Sequence, residues 1–202
     1  MNQDIERYLN VRSATSPSFS ADGQQIAFIS NITGVPLPWS VPTSGGWPSP
    51  ICLATERTFQ VAYSPKNNQV AFDRDSGGDE HWQIMVSDHA GVDTNNYTED
   101  PDISHRFGGW SPDGSAFYYS ANIQERRRFD VYVQNLSDLG PKLVYVGSES
   151  SEPVAWAPDG NHIVVREGTR NEDSDLYLVG LHLEEAIHLT SHTGEAAYYP
   201  FG

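Results

Sequence analysis

Apolar residues in this chain come in short runs, separated by polar breaks rich in Gly, Pro, Asp and Ser. Runs of that length suit β-strands. A helical stripe is confined to Asp4 through Asn10, where Ile5, Tyr8 and Leu9 predict a short helix ahead of everything else. The remaining pattern repeats itself. Phe19-Ser20-Ala21-Asp22-Gly23 precedes Ile26-Ala27-Phe28, and Tyr63-Ser64-Pro65-Lys66-Asn67 precedes Val70-Ala71-Phe72. Trp110-Ser111-Pro112-Asp113-Gly114 precedes Phe117-Tyr118-Tyr119, and Trp156-Ala157-Pro158-Asp159-Gly160 precedes Ile163-Val164-Val165. The residue after the aromatic sits at 20, 64, 111 and 157, so the intervals are 44, 47 and 46.

Each unit reads as a β-hairpin. Pro65, Pro112 and Pro158 preset φ at the turn, Asp22, Asp113 and Asp159 can accept backbone N–H groups just ahead, and Gly23, Gly114 and Gly160 supply positive φ. Asn67 stands where the other repeats have Gly and is expected to take that conformation. A third strand is predicted around Trp39-Ser40-Val41, over His81 to Val86, and at Asp130 to Val133 and Asp175 to Leu178. Shorter fourth strands are predicted at Ile51-Cys52-Leu53, Lys142 to Val146 and Ala186 to Thr190, with a weaker one in 92–98. Four strands per repeat at this period is the arithmetic of β-propeller blades.

The expected fold is therefore all-β: a partial β-propeller of four four-stranded blades plus the first strand of a fifth. Residues 1–14 form the lead-in, 15–56 blade 1, 57–100 blade 2, 101–147 blade 3 and 148–192 blade 4, while 193–202 begins a fifth repeat. An open arc leaves an apolar sheet face at each end, so association of copies through those ends is expected.

Composition narrows the function classes. The formal charge is −15, and residues 1–70 carry four acids and four bases, so the excess acid falls on the rest. Such a surface disfavours nucleic acid, and Arg126-Arg127-Arg128 reads as a solvated loop. No stretch reaches the roughly 18 to 20 apolar residues that cross a bilayer. Met1 to Val11 lacks the basic start and apolar run of a signal peptide, so a cytoplasmic setting without membrane partners is expected. Cys52 is the single cysteine and reads as a half-buried strand thiol.

The aromatic-Ser-Pro-Asp-Gly repeat resembles the blade motif of TolB and of prolyl-oligopeptidase relatives. Arg7 to Ala14, Asp73 to Glu80 and His105 to Trp110 are similar to stretches in propellers of acylaminoacyl-peptidase and dipeptidyl-aminopeptidase-like enzymes. That resemblance implies the propeller portion of a serine peptidase, gating peptide access and packing on an α/β-hydrolase domain that would follow it. The peptidase Ser, Asp and His belong to that domain, so none is carried over here and this chain by itself is expected to be inactive. No Gly-x-Ser-x-Gly elbow occurs, and Ser111 in Gly109-Trp110-Ser111-Pro112-Asp113 is a turn residue. The alternative is a stand-alone TolB-like module for protein partners.

Asp73, Asp75, Asp79 and Glu80 crowd carboxylates into one loop, and Asn171 to Asp175 occupies the equivalent loop of blade 4. The pattern departs from an EF-hand, so it reads as a solvated loop rather than a calcium site. By the same resemblance, Asp75, Asp79 and Glu80 form a candidate substrate-face patch that attracts a peptide amino terminus. His182, His188 and His192 lack an evident carboxylate partner at ligand spacing, so no metal or other cofactor is expected. The adjacent Asp-Gly of each turn also differs from the sialidase box, which argues against glycosidase chemistry.

Overall fold

The computed structural model describes residues 12–138, 140–170, 172–182 and 186–199. The helix expected at Asp4 to Asn10, the family-like stretch Arg7 to Val11, Asn171 and the end from Pro200 lie outside them. The described residues contain sixteen strands and no helix, hence no helix able to cross a membrane.

The strands form four antiparallel sheets, each meandering in chain order. Blade 1 holds β1 (Ala14–Phe19), β2 (Gln25–Ser30), β3 (Leu37–Pro42) and β4 (Ser49–Pro50). Blade 2 holds β5 (Val61–Tyr63), β6 (Gln69–Arg74), β7 (Gln83–Asp88) and β8 (Thr94–Asn96). Blade 3 holds β9 (His105–Trp110), β10 (Ala116–Glu125), β11 (Arg128–Asn135) and β12 (Lys142–Tyr145). Blade 4 holds β13 (Ser151–Trp156), β14 (His162–Arg170), β15 (Asp173–Gly180) and β16 (Ile187–His188). Together they make the four four-stranded blades of a β-propeller.

The two-residue period of the strands decides how the blades stack. On β6, Val70 and Phe72 enter a core shared with Ala27, Ile29 and Ile51 of blade 1, while Ala71 enters one shared with blade 3. On β10, Phe117, Tyr119 and Ala121 join Ala71, Ile84 and Val86 of blade 2, whereas Ala116 and Tyr118 meet Ile163, Val165 and Val179 of blade 4. The continuous apolar runs are therefore strands covered on both faces. Among the described residues the cores join blades 1 and 2, 2 and 3, and 3 and 4, and none joins blade 4 to blade 1.

The repeated turns close as their chemistry requires. In blade 3, Ser111 Oγ donates to Asp113 Oδ1 at 2.6 Å and accepts Ala116 N–H at 3.0 Å, while Gly114 N–H reaches the Ser111 carbonyl at 2.9 Å. Gly114 has φ 70°, and a Cβ there would come within 2.4 Å of Ser64 Oγ on the neighbouring turn, so Gly is required twice over. Blade 2 closes differently from expectation. Asn67 does not take positive φ; its Oδ1 accepts Gln69 N–H at 3.0 Å and so does the work of the missing Asp.

The fourth strand of blade 1 is also displaced from its expected place. It is Ser49–Pro50, opposite Ser40 and Trp39, because Ile51 turns into the core between blades 1 and 2. Pro50 lacks an N–H and is tolerated there because this is the outermost strand of its sheet. Cys52 therefore lies just outside the strand, half-buried, with Sγ 2.8 Å from Arg74 Nη2. Residues 193–199, expected to open a fifth blade, contain no strand. They run beside blade 4, where Ala196 accepts Ser174 N–H at 2.9 Å, Tyr198 N–H reaches Ser174 Oγ at 3.1 Å, and Arg166 stacks on Tyr199.

Candidate functional site

Meandering sheets put the first-to-second hairpin of every blade and its third-to-fourth connection on one face, and the second-to-third connections and the links between blades on the other. The second, loop face carries the acidic segment. Here each blade uses a side chain near the end of its second strand to catch the chain as it enters the first. Asn31 Oδ1 accepts Ser13 N–H at 2.8 Å, and Asn122 Oδ1 accepts Ser104 N–H at 2.9 Å. Asp73 Oδ1 takes Phe59 and Gln60 N–H at 2.6 and 3.0 Å, and Glu167 Oε1 takes Ser148 and Glu149 N–H at 3.0 and 3.3 Å. These four hooks satisfy backbone donors that have no ladder partner. In chain order they fall 11, 9, 11 and 10 residues beyond the repeat's Ser or Ala, so a fixed-period search misses them.

The four acids of the blade 2 loop serve separate tasks. Asp73 is buried, and the loss of water pushes its carboxyl up to about 6 against the pull of the Gln60 and Phe59 amides. Asp75 is buried too, yet there Arg57 Nε at 2.7 Å and Gly78 N–H at 2.9 Å outweigh desolvation and hold its carboxyl low. Asp79 accepts His81 N–H at 3.0 Å. Of the three candidate substrate-face residues, Asp75 is thus sealed beneath Arg57, while Asp79 and Glu80 stay at the surface. Glu80 sits at φ 62° with its carboxylate 3.5 Å from Arg57 Nη2. Arg57 also lies over the Trp82 ring, and exposed Phe59 packs against that indole. The patch that reaches solvent is therefore Glu80 and Asp79 beside Arg57, Trp82 and Phe59, mixed in charge and partly aromatic.

Blade 4 holds a second polar cluster. His188 and His192 do have carboxylate partners, contrary to expectation: His188 Nε2 lies 2.9 Å from Asp175 Oδ1, and His192 bridges Asp175 and Asp173 at 3.1 Å each. Residues 175 and 188 are close because β15 and β16 pair, a proximity that linear spacing hides. His182 is elsewhere, on the turn after β15. Among the described residues no group of three or more His, Cys, Asp or Glu is arranged to hold a metal ion, and no serine hydroxyl is hydrogen-bonded to a histidine ring.

No protein-family model matches the chain, and no curated protein matches it by sequence. Solved structures do match. Putative TolB from Agrobacterium tumefaciens superposes with TM-score 0.71 at 19% identity, over 90% of this chain and 63% of that one. A prolyl endopeptidase gives TM-score 0.70 at 14% identity, over 91% of this chain and 30% of the other. The β-propeller domain of the trilobed protease from Pyrococcus furiosus gives 0.61 at 16%, over 87% and 56%. The chain has the β-propeller fold. It spans less than two thirds of each of these three proteins, and at these identities the likeness is one of fold. For this propeller, then, function rests on its own surfaces.

Proposed function

We propose that this propeller is the non-catalytic, gating portion of a prolyl-oligopeptidase-like serine peptidase, packing on an α/β-hydrolase domain and admitting short peptides to it. The observation that carries the reading is the match to a prolyl endopeptidase over nearly the whole of this chain but only 30% of the enzyme, which leaves the larger part of that protein for other work. The blade motif, Trp110-Ser111-Pro112-Asp113-Gly114 most fully, supports it from the sequence side. In this reading Asp79 and Glu80 on the loop face attract a peptide's amino terminus, and the uncovered faces of blades 1 and 4 pair with further blades or another copy.

The test mixes the chain with an isolated hydrolase domain of this peptidase class. Cleavage of casein is expected to fall while cleavage of a dipeptide anilide is retained, and Glu80→Gln is expected to weaken peptide binding by the complex. No complex, or equal effects on both substrates, would overturn the gating reading. Peptide hydrolysis by the chain alone, abolished by a serine-directed inhibitor, would overturn its non-catalytic part.

A further inference from the structure

The opposite, hairpin face carries a cleft of about 620 Å³ between blades 3 and 4. Val133, Val144, Trp156 and Leu181 give it apolar walls. Its rim holds Lys66 and Lys142, which are the only lysines in the 202-residue sequence. In a chain of net charge −15, placing both ammonium groups on one cleft concentrates its scarce mobile cations there. Neither makes an ion pair with a described residue, and Lys142 Nζ donates one hydrogen bond to the Leu181 carbonyl, leaving donors to spare.

Two acids share the rim but are occupied within their own turns. Asp113 Oδ1 takes Ser111 Oγ, Ser115 N–H and Ser115 Oγ at 2.6, 3.0 and 2.8 Å. Asp159 takes Asn161 N–H at 2.8 Å and His162 Nδ1 at 2.7 Å. The cleft thus offers free ammonium donors above an apolar floor, in the size range of small-ligand sites.

We infer that the cleft between blades 3 and 4 binds an apolar carboxylate, its hydrocarbon body against Trp156, Val133, Val144 and Leu181 and its carboxylate between Lys66 and Lys142. This site lies on the face away from the acidic loop and stands independently of the peptidase reading. Two sources share that chemistry, the free carboxyl end of a short peptide with an apolar last residue and a simple arylalkyl acid.

Calorimetric titration with N-acetyl-Leu-Phe, with its C-terminal amide and with 4-phenylbutanoate tests it. Both acids binding, or the peptide acid alone or the simple acid alone, supports the site and identifies the source, provided the amide binds at least about tenfold more weakly. The Lys66→Met/Lys142→Met double variant, checked for an unchanged melting curve, is expected to weaken the acid by about tenfold or more. Should that variant melt early, raised ionic strength on the unaltered chain provides the same reading, since a charge-led contact weakens with salt. Equal affinity for acid and amide, unaltered affinity in the folded double variant, insensitivity to salt, or no heat from either acid would overturn the inference.

Discussion

Asp73 shows how a single buried carboxylate can be kept for its geometry at a cost in charge. Its neighbours in role, Asn31 and Asn122, hook the incoming chain with neutral amide oxygens. Asp73 does so with a group whose folded pKa is raised by burial to about 6, above the ordinary carboxylate value. The unfolded chain therefore gives up this proton first, and stability falls as pH rises from about 4 to about 6, by on the order of 3 kcal/mol. Asp73→Asn is expected to keep the two amide contacts, flatten that part of the pH profile and raise stability at neutral pH. Urea unfolding at acid and neutral pH measures both effects, and an unchanged profile would show that Asp73 is not the group responsible.

At the scale of elements, the clasp on blade 4 has a pH window of its own. Thr190 Oγ1 accepts Leu176 N–H at 2.8 Å and donates to Asp175 at 3.0 Å, repeating what Thr98 does with Ile84 and Gln83 in blade 2. In blade 4 the partner is charged and two histidines join it. The Thr190 carbonyl and the Asp173 carboxylate raise the pKa of His192, so its contribution is present below about pH 6.5 and is lost as pH rises through the raised value. At Asp175, hydrogen bonds from His188 and Thr190 outweigh desolvation and lower the pKa, so its contribution is lost only as pH falls through that lowered value. Hydrogen-exchange protection of Leu176 and Leu189, corrected for intrinsic rates, is expected to be greater near about pH 5.5 than near about pH 8.5. In Asp175→Asn that difference is expected to shrink.

These clasps also mark the boundary of what the sequence discloses. Blades, hairpin turns and the alternation of β6 and β10 are local or periodic, so Phe72, Ala71 and Phe117 could be read from order alone. The displaced β4 could not, because Ile51 chooses a core contributed by blade 2 over its own edge ladder. Asp75 likewise resembled a surface acid until Arg57, 18 residues earlier, was seen to close over it. Within the candidate patch, the sequence supplied the carboxylates but not the Arg57–Trp82–Phe59 contacts that divide them into buried and exposed.

Across the whole molecule, stability is expected to be graded from the middle outward. Blades 2 and 3 have a neighbour on each face, and their shared core stacks Phe107, Trp110, Phe117 and Tyr119 edge to face and at tilted angles. Phe117 is fully buried there, so Phe117→Ala is expected to cost about 3 to 5 kcal/mol. Urea unfolding should show the loss, with exchange protection falling in β6, β7, β10 and β11 together; a change confined to β10 would mean that the blades do not share their cooperativity.

The hooks at Asn31, Asp73, Asn122 and Glu167 give this architecture a form of self-sufficiency. Each one fastens the entry to the blade that carries it, and only Glu167 also reaches another repeat, its Oε2 accepting the Tyr145 hydroxyl of blade 3 at 2.6 Å. Duplicating or deleting one whole repeat would therefore carry the fastening along with the part it fastens. Change in the number of blades becomes a matter of copying intact units, with new fitting needed only where two faces meet for the first time.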